Sequence, residues 1–187
     1  MKDIKYQFLE QYVLSQSVRK NNPKSVIDKC IRIAYKDMLD GGRFYIPKEN
    51  NEHIIEEFKK ILEQNNYNNP RHIIDEILAL FGTNEKLQIS EQRYATRFGL
   101  AQKLVNMTFK YLFVFSDYTE LDIDFKNCDC PLDSVILKQL NYSENVWTKL
   151  NKTQYENIQN KISKLLETNT LKVSYEIGNL AYDFLYW

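Results

Sequence analysis

The stretch between Leu104 and Phe115 constrains the fold more than any other part of the chain, because almost every position in it is apolar or aromatic. A helix of this composition is hydrophobic on nearly all sides, so we expect it to lie at the centre of a folded domain. Its polar residues Lys103, Asn106 and Lys110 are spaced i, i+3 and i+7, which places them in one stripe. We expect that stripe either to face water or to line a cleft.

The remaining composition favours further helices. Only 5 Gly and 4 Pro occur in 187 residues, and this scarcity of turn-forming residues favours long helices over a many-stranded sheet. The sequence therefore predicts an all-α protein, a compact orthogonal helical domain that spans 1–187 or divides into two helical subdomains, 1–82 and 90–187. The spacing of apolar residues predicts helices at 3–18, 23–40, 51–64, 70–81, 90–116 and 131–140, and a last one that begins near 153 and carries Ile158, Ile162, Leu165 and Leu166.

Local signals predict where several of these helices begin and end. Pro70 suits a first helical position, and Gly82 is predicted to stop the same helix. Ser90 is a candidate cap for the apolar helix, and Thr153 with Glu156 has the spacing of a capping box. The last segment, SYEIGNLAYDFLYW, is too apolar and aromatic for a free tail, so we expect it to dock on the core.

Charge and targeting signals limit the partners that the chain can have. Lys plus Arg equals Asp plus Glu at 25 each, so the chain has no net positive charge that would attract nucleic acid or an anionic membrane. A local basic patch is still compatible with this balance. The N-terminus lacks a signal-peptide core, and no apolar run reaches the length of a membrane span. Three cysteines, an odd number, suit a reducing compartment. We therefore expect a cytoplasmic protein without a membrane partner.

The most specific local pattern is Phe98-Gly99-Leu100-Ala101-Gln102-Lys103-Leu104-Val105-Asn106, followed by Pro131-Leu132-Asp133-Ser134 thirty positions after the lysine. Here the sequence resembles the helix-hairpin-helix base-excision DNA glycosylases, and it looks closest to their archaeal oxidised-guanine branch. That family has a Gly-x-Gly/Ala turn between two helices, a lysine two residues later in its bifunctional members, and a Pro-apolar-Asp segment that begins another helix.

The resemblance implies a DNA base-excision glycosylase/lyase that acts on a damaged, flipped-out base without a cofactor or a metal. Lys103 would be the nucleophile, because an uncharged amine can attack the sugar carbon as the base departs. Asp133, at a helix N-terminus, would be the assisting carboxylate that stabilises positive charge on the sugar. In the same interpretation the turn would let the backbone approach a phosphate. The DNA-backbone contacts would then come from Gly99, Leu100, Ala101 and Gln102, and the pocket would include Asn106 and Lys110.

Each of these residues also has a purely structural interpretation. The solvent-exposed face of an amphipathic helix would explain Lys103, Asn106 and Lys110, and an ordinary N-cap would explain Asp133. For the whole chain the alternative is a non-catalytic helical interaction protein, of a phage, defence or other kind, with a protein partner and the aromatic C-terminus as its contact surface. The two interpretations differ in one geometric expectation: a glycosylase requires the Lys103 amine and the Asp133 carboxylate to meet across a cleft.

Other residues with reactive side chains give weaker signals. Cys128 and Cys130 could both bind a metal, yet a zinc site needs four ligands, and the other suppliers, Cys30, His53 and His72, are isolated in the sequence. We therefore expect no metal site. His53 and His72 are expected to be surface residues of helices, since neither has a nucleophile or an orienting acid nearby in the sequence.

Overall fold

The structure is a computed structural model that describes residues 22–40, 46, 48–83, 97–142, 146–168 and 174–186. Within these ranges it contains helices, turns and loops but no β-strand, so the predicted all-α class is confirmed. None of the described helices has the length and apolar character needed to cross a membrane. The α-helices are α1 (Pro23–Asp40), α2 (Lys48–Gln64), α3 (Pro70–Thr83), α4 (Arg97–Val114), α5 (Ser134–Gln139), α6 (Lys152–Thr168), α7 (Ser174–Ile177) and α8 (Leu180–Leu185).

Helix α4 is the centre of the packing. Both α1 and α3 pack directly against it, and the short 3-10 helix Trp147–Lys149 contacts it as well. Every residue of α4 after Arg97 is buried, which confirms that this helix is enclosed on all sides. Helices from both halves of the chain contribute to one hydrophobic core around it; the largest apolar members include Phe58, Phe81, Phe109 and Tyr155.

The helices begin where short polar side chains can satisfy free backbone N–H groups. Asn22 precedes α1, and its Oδ1 accepts a hydrogen bond of 2.9 Å from the Ser25 N–H. Pro70 occupies the first position of α3, as predicted. The predicted stop at Gly82 falls two residues early: the helix was expected to end at residue 81, and α3 continues through Gly82 to Thr83.

The predicted capping box of α6 is wrong in its residues. The reciprocal pair is Asn151 and Gln154: the Gln154 N–H donates to Asn151 Oδ1 (2.9 Å), and the Asn151 N–H donates to Gln154 Oε1 (3.0 Å). Asparagine caps a helix as well as threonine does, and a helix that starts at Lys152 places position 151 at the cap and position 154 at the third helical residue.

The C-terminal segment docks on the body of the protein, as predicted. Gly178 has φ +56°, and a Cβ atom there would overlap the carbonyl oxygens of Lys126 and Cys128, so only glycine allows this approach. The Asn179 N–H donates to the Cys128 carbonyl at 3.0 Å. Beyond this turn the first four residues of α8 are buried.

Several predictions fall outside the described residues. These are the helix at 3–18 and the cap at Ser90. The first seven residues of the predicted helix 90–116 also lie outside, and its described part is α4.

Candidate functional site

Lys103 and Asp133, the two residues that the glycosylase interpretation pairs, contact each other directly. Lys103 Nζ lies 3.1 Å from Asp133 Oδ2, and the two side chains are 7% and 24% exposed. The same ammonium group lies 5.9 Å from the centroid of the Trp147 ring. The lysine therefore sits at the edge of the interior, between an aromatic ring and a carboxylate that still contacts solvent.

Asp133 is at the same time the N-cap of α5. Its Oδ1 accepts hydrogen bonds from the N–H groups of Val135 (2.9 Å) and Ile136 (3.0 Å), which leaves Oδ2 directed at Lys103. Burial favours the neutral acid, but the charge of Lys103 and the two helix N–H groups outweigh it and hold the pKa of Asp133 below its ordinary value. The carboxylate is thus ionised at neutral pH and held in one orientation.

Lys110 forms a second ion pair that is more deeply buried. Its Nζ lies 2.5 Å from Asp183 Oδ2 on α8, and the two side chains are only 1% and 2% exposed. The ring of Phe184 lies 5.7 Å from the same ammonium group. Burial raises the pKa of Asp183 above its ordinary value even though the charge of Lys110 opposes that shift. This pair fastens the C-terminal helix to the middle of α4.

The polar stripe of α4 therefore does not face water. Lys103, Asn106 and Lys110 are all buried, and each lies against polar groups that come from distant parts of the chain. The water-facing interpretation is wrong because α4 is enclosed by other elements on every side, including the 3-10 helix at Trp147 and the docked C-terminal segment. The other interpretation, in which the stripe lines a binding site, depends on what Lys103, Asn106 and Lys110 contact.

A third carboxylate approaches the same region from α1. Asp37 Oδ2 accepts a hydrogen bond of 2.5 Å from the Tyr111 hydroxyl. Burial raises the pKa of Asp37, and the hydrogen bond from Tyr111 and the charges of Lys103 and Lys110 oppose the shift. Both lysines thus act electrostatically on Asp37 as well as on their own partners.

Cys130 lies among these charges. Its thiol is fully buried, and burial together with the negative charges of Asp183 and Asp133 holds its pKa well above the ordinary value. The thiol is therefore neutral and is not a nucleophile at physiological pH. The two ion pairs, Asp37 and Cys130 form what we call the charged cluster: Asp37, Lys103, Lys110, Cys130, Asp133 and Asp183.

A chain of hydrogen bonds runs from the stripe to the surface. Asn106 Nδ2 donates to the Tyr155 hydroxyl at 2.9 Å, and that hydroxyl donates to Asp129 Oδ2 at 2.9 Å. Asp129 also accepts two hydrogen bonds from Arg71, through Nε at 2.7 Å and Nη2 at 2.9 Å. At the other end, Asn106 Nδ2 lies 3.4 Å from Gln102 Oε1. This chain joins the exposed Arg71 to the interior residue one turn beyond Lys103.

The carbonyl oxygen of Asn106 is the exception in this chain. Asn106 Oδ1 is inaccessible to solvent, and it has no hydrogen-bond partner among the described residues. An unpaired buried acceptor costs about 1–3 kcal/mol relative to a satisfied one. Such a group marks a place where stability has been given up, which is typical of functional sites.

The four residues predicted to contact the DNA backbone lie in the interior instead. They belong to the first turns of α4, all are buried, and a Cβ atom on Gly99 would come within 2.7 Å of the Trp147 carbonyl oxygen. The expectation of an exposed turn there is wrong, because the glycine is used to admit another stretch of backbone. Gln102 pairs with the backbone of Leu132, donating to its carbonyl (3.0 Å) and accepting from its N–H (3.3 Å). The residues corrected in this way are Gly99, Leu100, Ala101 and Gln102.

The cysteine and histidine residues do not converge. Cys128 and Cys130 are buried free thiols, and burial raises the pKa of Cys128 as it does that of Cys130. His53 and His72 are exposed residues of α2 and α3. Within the described ranges no group of three or more His, Cys, Asp or Glu side chains could hold a metal ion.

A surface cavity of about 420 Å³ opens where the hydrogen-bond chain reaches the surface. Arg71 and Asp129 line it together with Lys126, Ser163 and Asn179. No sequence pattern indicates this cavity, because its walls come from four separate segments of the chain.

Sequence analysis did not identify two residues that contact α4, Asp183 and Tyr155. A sequence pattern could have indicated only the first of them. Asp183 is one of two acidic residues in the otherwise apolar and aromatic segment SYEIGNLAYDFLYW, and an acid in such a segment is rarely buried without a partner. No sequence pattern indicates a special role for Tyr155, since it occupies an ordinary core position of an amphipathic helix.

Comparison with known proteins gives no family for this chain. No protein-family model matches it, and no curated protein and no solved structure shows significant similarity to it. Function must therefore be argued from the contacts of the charged cluster.

Proposed function

We propose that the chain is a DNA base-excision glycosylase/lyase that acts on a flipped, damaged base, with Lys103 as the nucleophile and Asp133 as the assisting carboxylate. The observation that carries the proposal is the 3.1 Å contact between Lys103 Nζ and Asp133 Oδ2. The resemblance in sequence requires this contact, and neither helical periodicity nor packing alone would demand it between residues 30 positions apart.

The placement of the pair supports a catalytic role over a stabilising one. A buried ion pair seldom stabilises a protein more than apolar residues of the same volume would, and perturbed ionisable groups concentrate at functional sites. Lys103 and Asp133 lie where the interior meets solvent, whereas a pair that served packing alone could have been replaced by apolar side chains.

The contacts assign each atom a part in the reaction. Lys103 gives its proton to solvent, and the resulting amine attacks the sugar C1′, while the ionised carboxylate of Asp133 stabilises the positive charge that develops on the sugar. The glycosidic C–N bond breaks, and its electron pair leaves with the base, which takes up a proton. Loss of a further proton from the nitrogen and opening of the sugar ring give an imine. Removal of a proton from C2′ then expels the phosphate at C3′ and cuts the strand.

The substrate would approach from the side of Asp133. That carboxylate is the more exposed member of the pair, and two exposed apolar residues flank the site, Val135 next to the cap and Val146 next to Trp147. The proposal assigns no DNA contact to the four residues of the first turns of α4, because they are buried in the interior.

Reductive trapping tests this proposal. Borohydride converts the imine into a stable secondary amine, so the full chain should form a covalent adduct with duplexes that carry an abasic site or a damaged base. Lys103→Gln should abolish the adduct. Lys138→Gln, which removes an exposed lysine of α5, is the matched control and should trap like the wild type.

A second function, the non-catalytic interaction protein, is favoured by a different observation. Leu185 and Tyr186 at the end of α8 are large apolar residues with 37% and 43% exposure, as expected for a surface that binds a protein partner. Absence of any adduct over several lesions, together with no DNA affinity at low salt, would reject the glycosylase and favour this alternative.

A further inference from the structure

The segment 128–132 connects the 3-10 helix Phe125–Asn127 to the residue that caps α5, and we call it the buried link. Cys128, its first residue, and Asp133, which follows it, have extended backbone angles. All five residues of the link are buried, yet no β-strand lies beside it in the described part of the chain. Because buried backbone N–H and C=O groups need hydrogen-bond partners, side chains must supply them here.

Two glutamines hold alternate residues of the buried link. Gln159 on α6 donates from Nε2 to the Cys130 carbonyl (2.7 Å) and accepts at Oε1 from the Cys130 N–H (3.1 Å). Gln102 on α4 holds Leu132 in the same way, at 3.0 Å and 3.3 Å. Both glutamines are fully buried. Each amide engages the donor and the acceptor of one residue, so it fixes both the position and the direction of the backbone there.

The Gln102 contact lies directly beside the ion pair of the proposed site. Gln102 and Lys103 are consecutive on α4, and Leu132 and Asp133 are consecutive at the end of the buried link. The two contacts are therefore neighbouring connections between the same two stretches of backbone. Since α4 is enclosed on all sides, the backbone of the lysine is fixed. The place of the carboxylate relative to the amine then depends on how Leu132 is held against α4.

We propose that Gln102 is a positioning residue: through its hold on the backbone of Leu132 it fixes the carboxylate of Asp133 beside the reacting amine. This inference rests on the proposed function, because it gives the residue a part in that reaction. Catalytic groups must be held within about 0.5 Å of their productive geometry, and a misplacement of about 1 Å can cost about 100-fold in rate. Gln159 holds a residue three positions before the carboxylate, so its contact serves folding and not that placement.

The test measures the rate of single-turnover reductive trapping of the full chain on an abasic duplex, with protein in saturating excess so that the rate reports the chemical step and not binding. Gln102→Met keeps the length of the side chain and removes both hydrogen bonds to Leu132. The rate is measured for this variant in the wild-type background and in an Asp133→Asn background. A residue that acts through the carboxylate loses its effect once that carboxylate is absent.

Gln159→Met is the matched control, because it removes the same two hydrogen bonds from Cys130. It also removes a contact with Asn179, so a loss of rate that came from general destabilisation would be at least as large in this variant. Urea unfolding of each protein establishes that it is folded under the assay conditions.

Gln102→Met should lower the trapping rate by about tenfold to 100-fold in the wild-type background. In the Asp133→Asn background the same substitution should change the rate by no more than about twofold. Gln159→Met should stay within about threefold of the wild type, because Asp133 keeps its neighbouring hold. Gln102→Asn has an amide one carbon shorter that cannot reach both backbone groups, and it carries the same expectations if Gln102→Met does not fold.

Equal losses of rate in the two backgrounds, or a loss in Gln159→Met as large as that in Gln102→Met, would overturn the inference and show that Gln102 serves the fold alone. A wild-type rate in the Gln102 variants would overturn it as well, and the proposed function would stand as long as the wild type forms its adduct. A wild type that forms no adduct would overturn both.

Discussion

Lys103 Nζ and Asp133 Oδ2 lie 3.1 Å apart, and the other oxygen of the same carboxylate caps the helix that begins at Ser134. One side chain therefore has two separable tasks. It holds the start of α5 through Oδ1, and it faces the lysine through Oδ2. Substitutions that remove one task and keep the other can show which of them matters to function.

Asp133→Asn keeps the cap and removes the charge, because asparagine is as good an N-cap as aspartate. We predict that it slows reductive trapping on an abasic duplex by about 100-fold or more, since a neutral amide can no longer stabilise the positive charge that develops on the sugar. Asp133→Ala should be less stable than Asp133→Asn by about 1 kcal/mol, the value of the lost cap. Chemical denaturation measures this difference. Wild-type trapping by Asp133→Asn would show that the carboxylate only caps.

The Lys110–Asp183 pair should respond differently because it is buried on both sides. Lys110→Met or Asp183→Leu alone leaves an unpaired charge in the interior and should cost about 3–5 kcal/mol in the free energy of unfolding. The double variant leaves no charge behind and should recover most of that loss. Urea unfolding of the four proteins forms a double-mutant cycle, and additive losses would contradict a direct pairing.

Asp37 predicts a pH dependence of stability. Its pKa is raised by burial, so the folded state holds its proton more tightly than the unfolded state does. That contribution is fully present below the unfolded pKa of about 3.9 and is lost as the pH rises through the folded pKa. The free energy of unfolding of the wild type, relative to Asp37→Asn, should therefore fall as the pH increases above about 4.

The asparagine in this variant can still accept the hydrogen bond from Tyr111, so the comparison isolates the titration. Asp122→Asn, at an exposed position, is the control and should run parallel to the wild type. Unfolding by urea at a series of pH values gives the curves. A relative stability of the wild type that rises above pH 4, measured against Asp37→Asn, would contradict the assignment.

Gly99 tests the close packing at the start of α4. A Cβ there would lie 2.7 Å from the Trp147 carbonyl oxygen and 2.9 Å from the Thr148 backbone. Gly99→Ala should therefore destabilise the protein by about 1–3 kcal/mol through overpacking. Gly82→Ala is the matched control: the nearest atom would be 3.9 Å away, and alanine should stabilise this exposed helical position by up to about 1 kcal/mol. Thermal melting of the two variants should shift in opposite directions.

The sequence predicted the parts of the fold that depend on local pattern. Local patterns located helices α1 to α6, and the uninterrupted apolar stretch correctly predicted that α4 is central. The motif around Lys103 and the Pro-Leu-Asp-Ser segment predicted one of the long-range contacts at the site, that between Lys103 and Asp133, because the resemblance supplied a pairing that periodicity cannot supply.

What could not be predicted depends on tertiary packing. The stripe on α4 was expected to meet water or a cleft, since nothing local reveals that Asp183 and Tyr155 fold over it. Gly99 was expected in a turn because the resemblance has a turn at this position. Its packing against Trp147 could not be seen in the local sequence, because that residue lies nearly fifty positions away. The cap of α6 was misplaced by two residues, because Asn151 and Thr153 are both suitable caps and only the start of the helix decides between them.

The most direct test of the central claim is to identify the residue that carries the DNA adduct. The full chain is trapped with borohydride on an abasic duplex, digested with protease and nuclease, and the modified peptide is sequenced by mass spectrometry. We predict a single adduct on Lys103 Nζ. An adduct on another lysine or on the N-terminal amine, with Lys103 unmodified, would contradict the account.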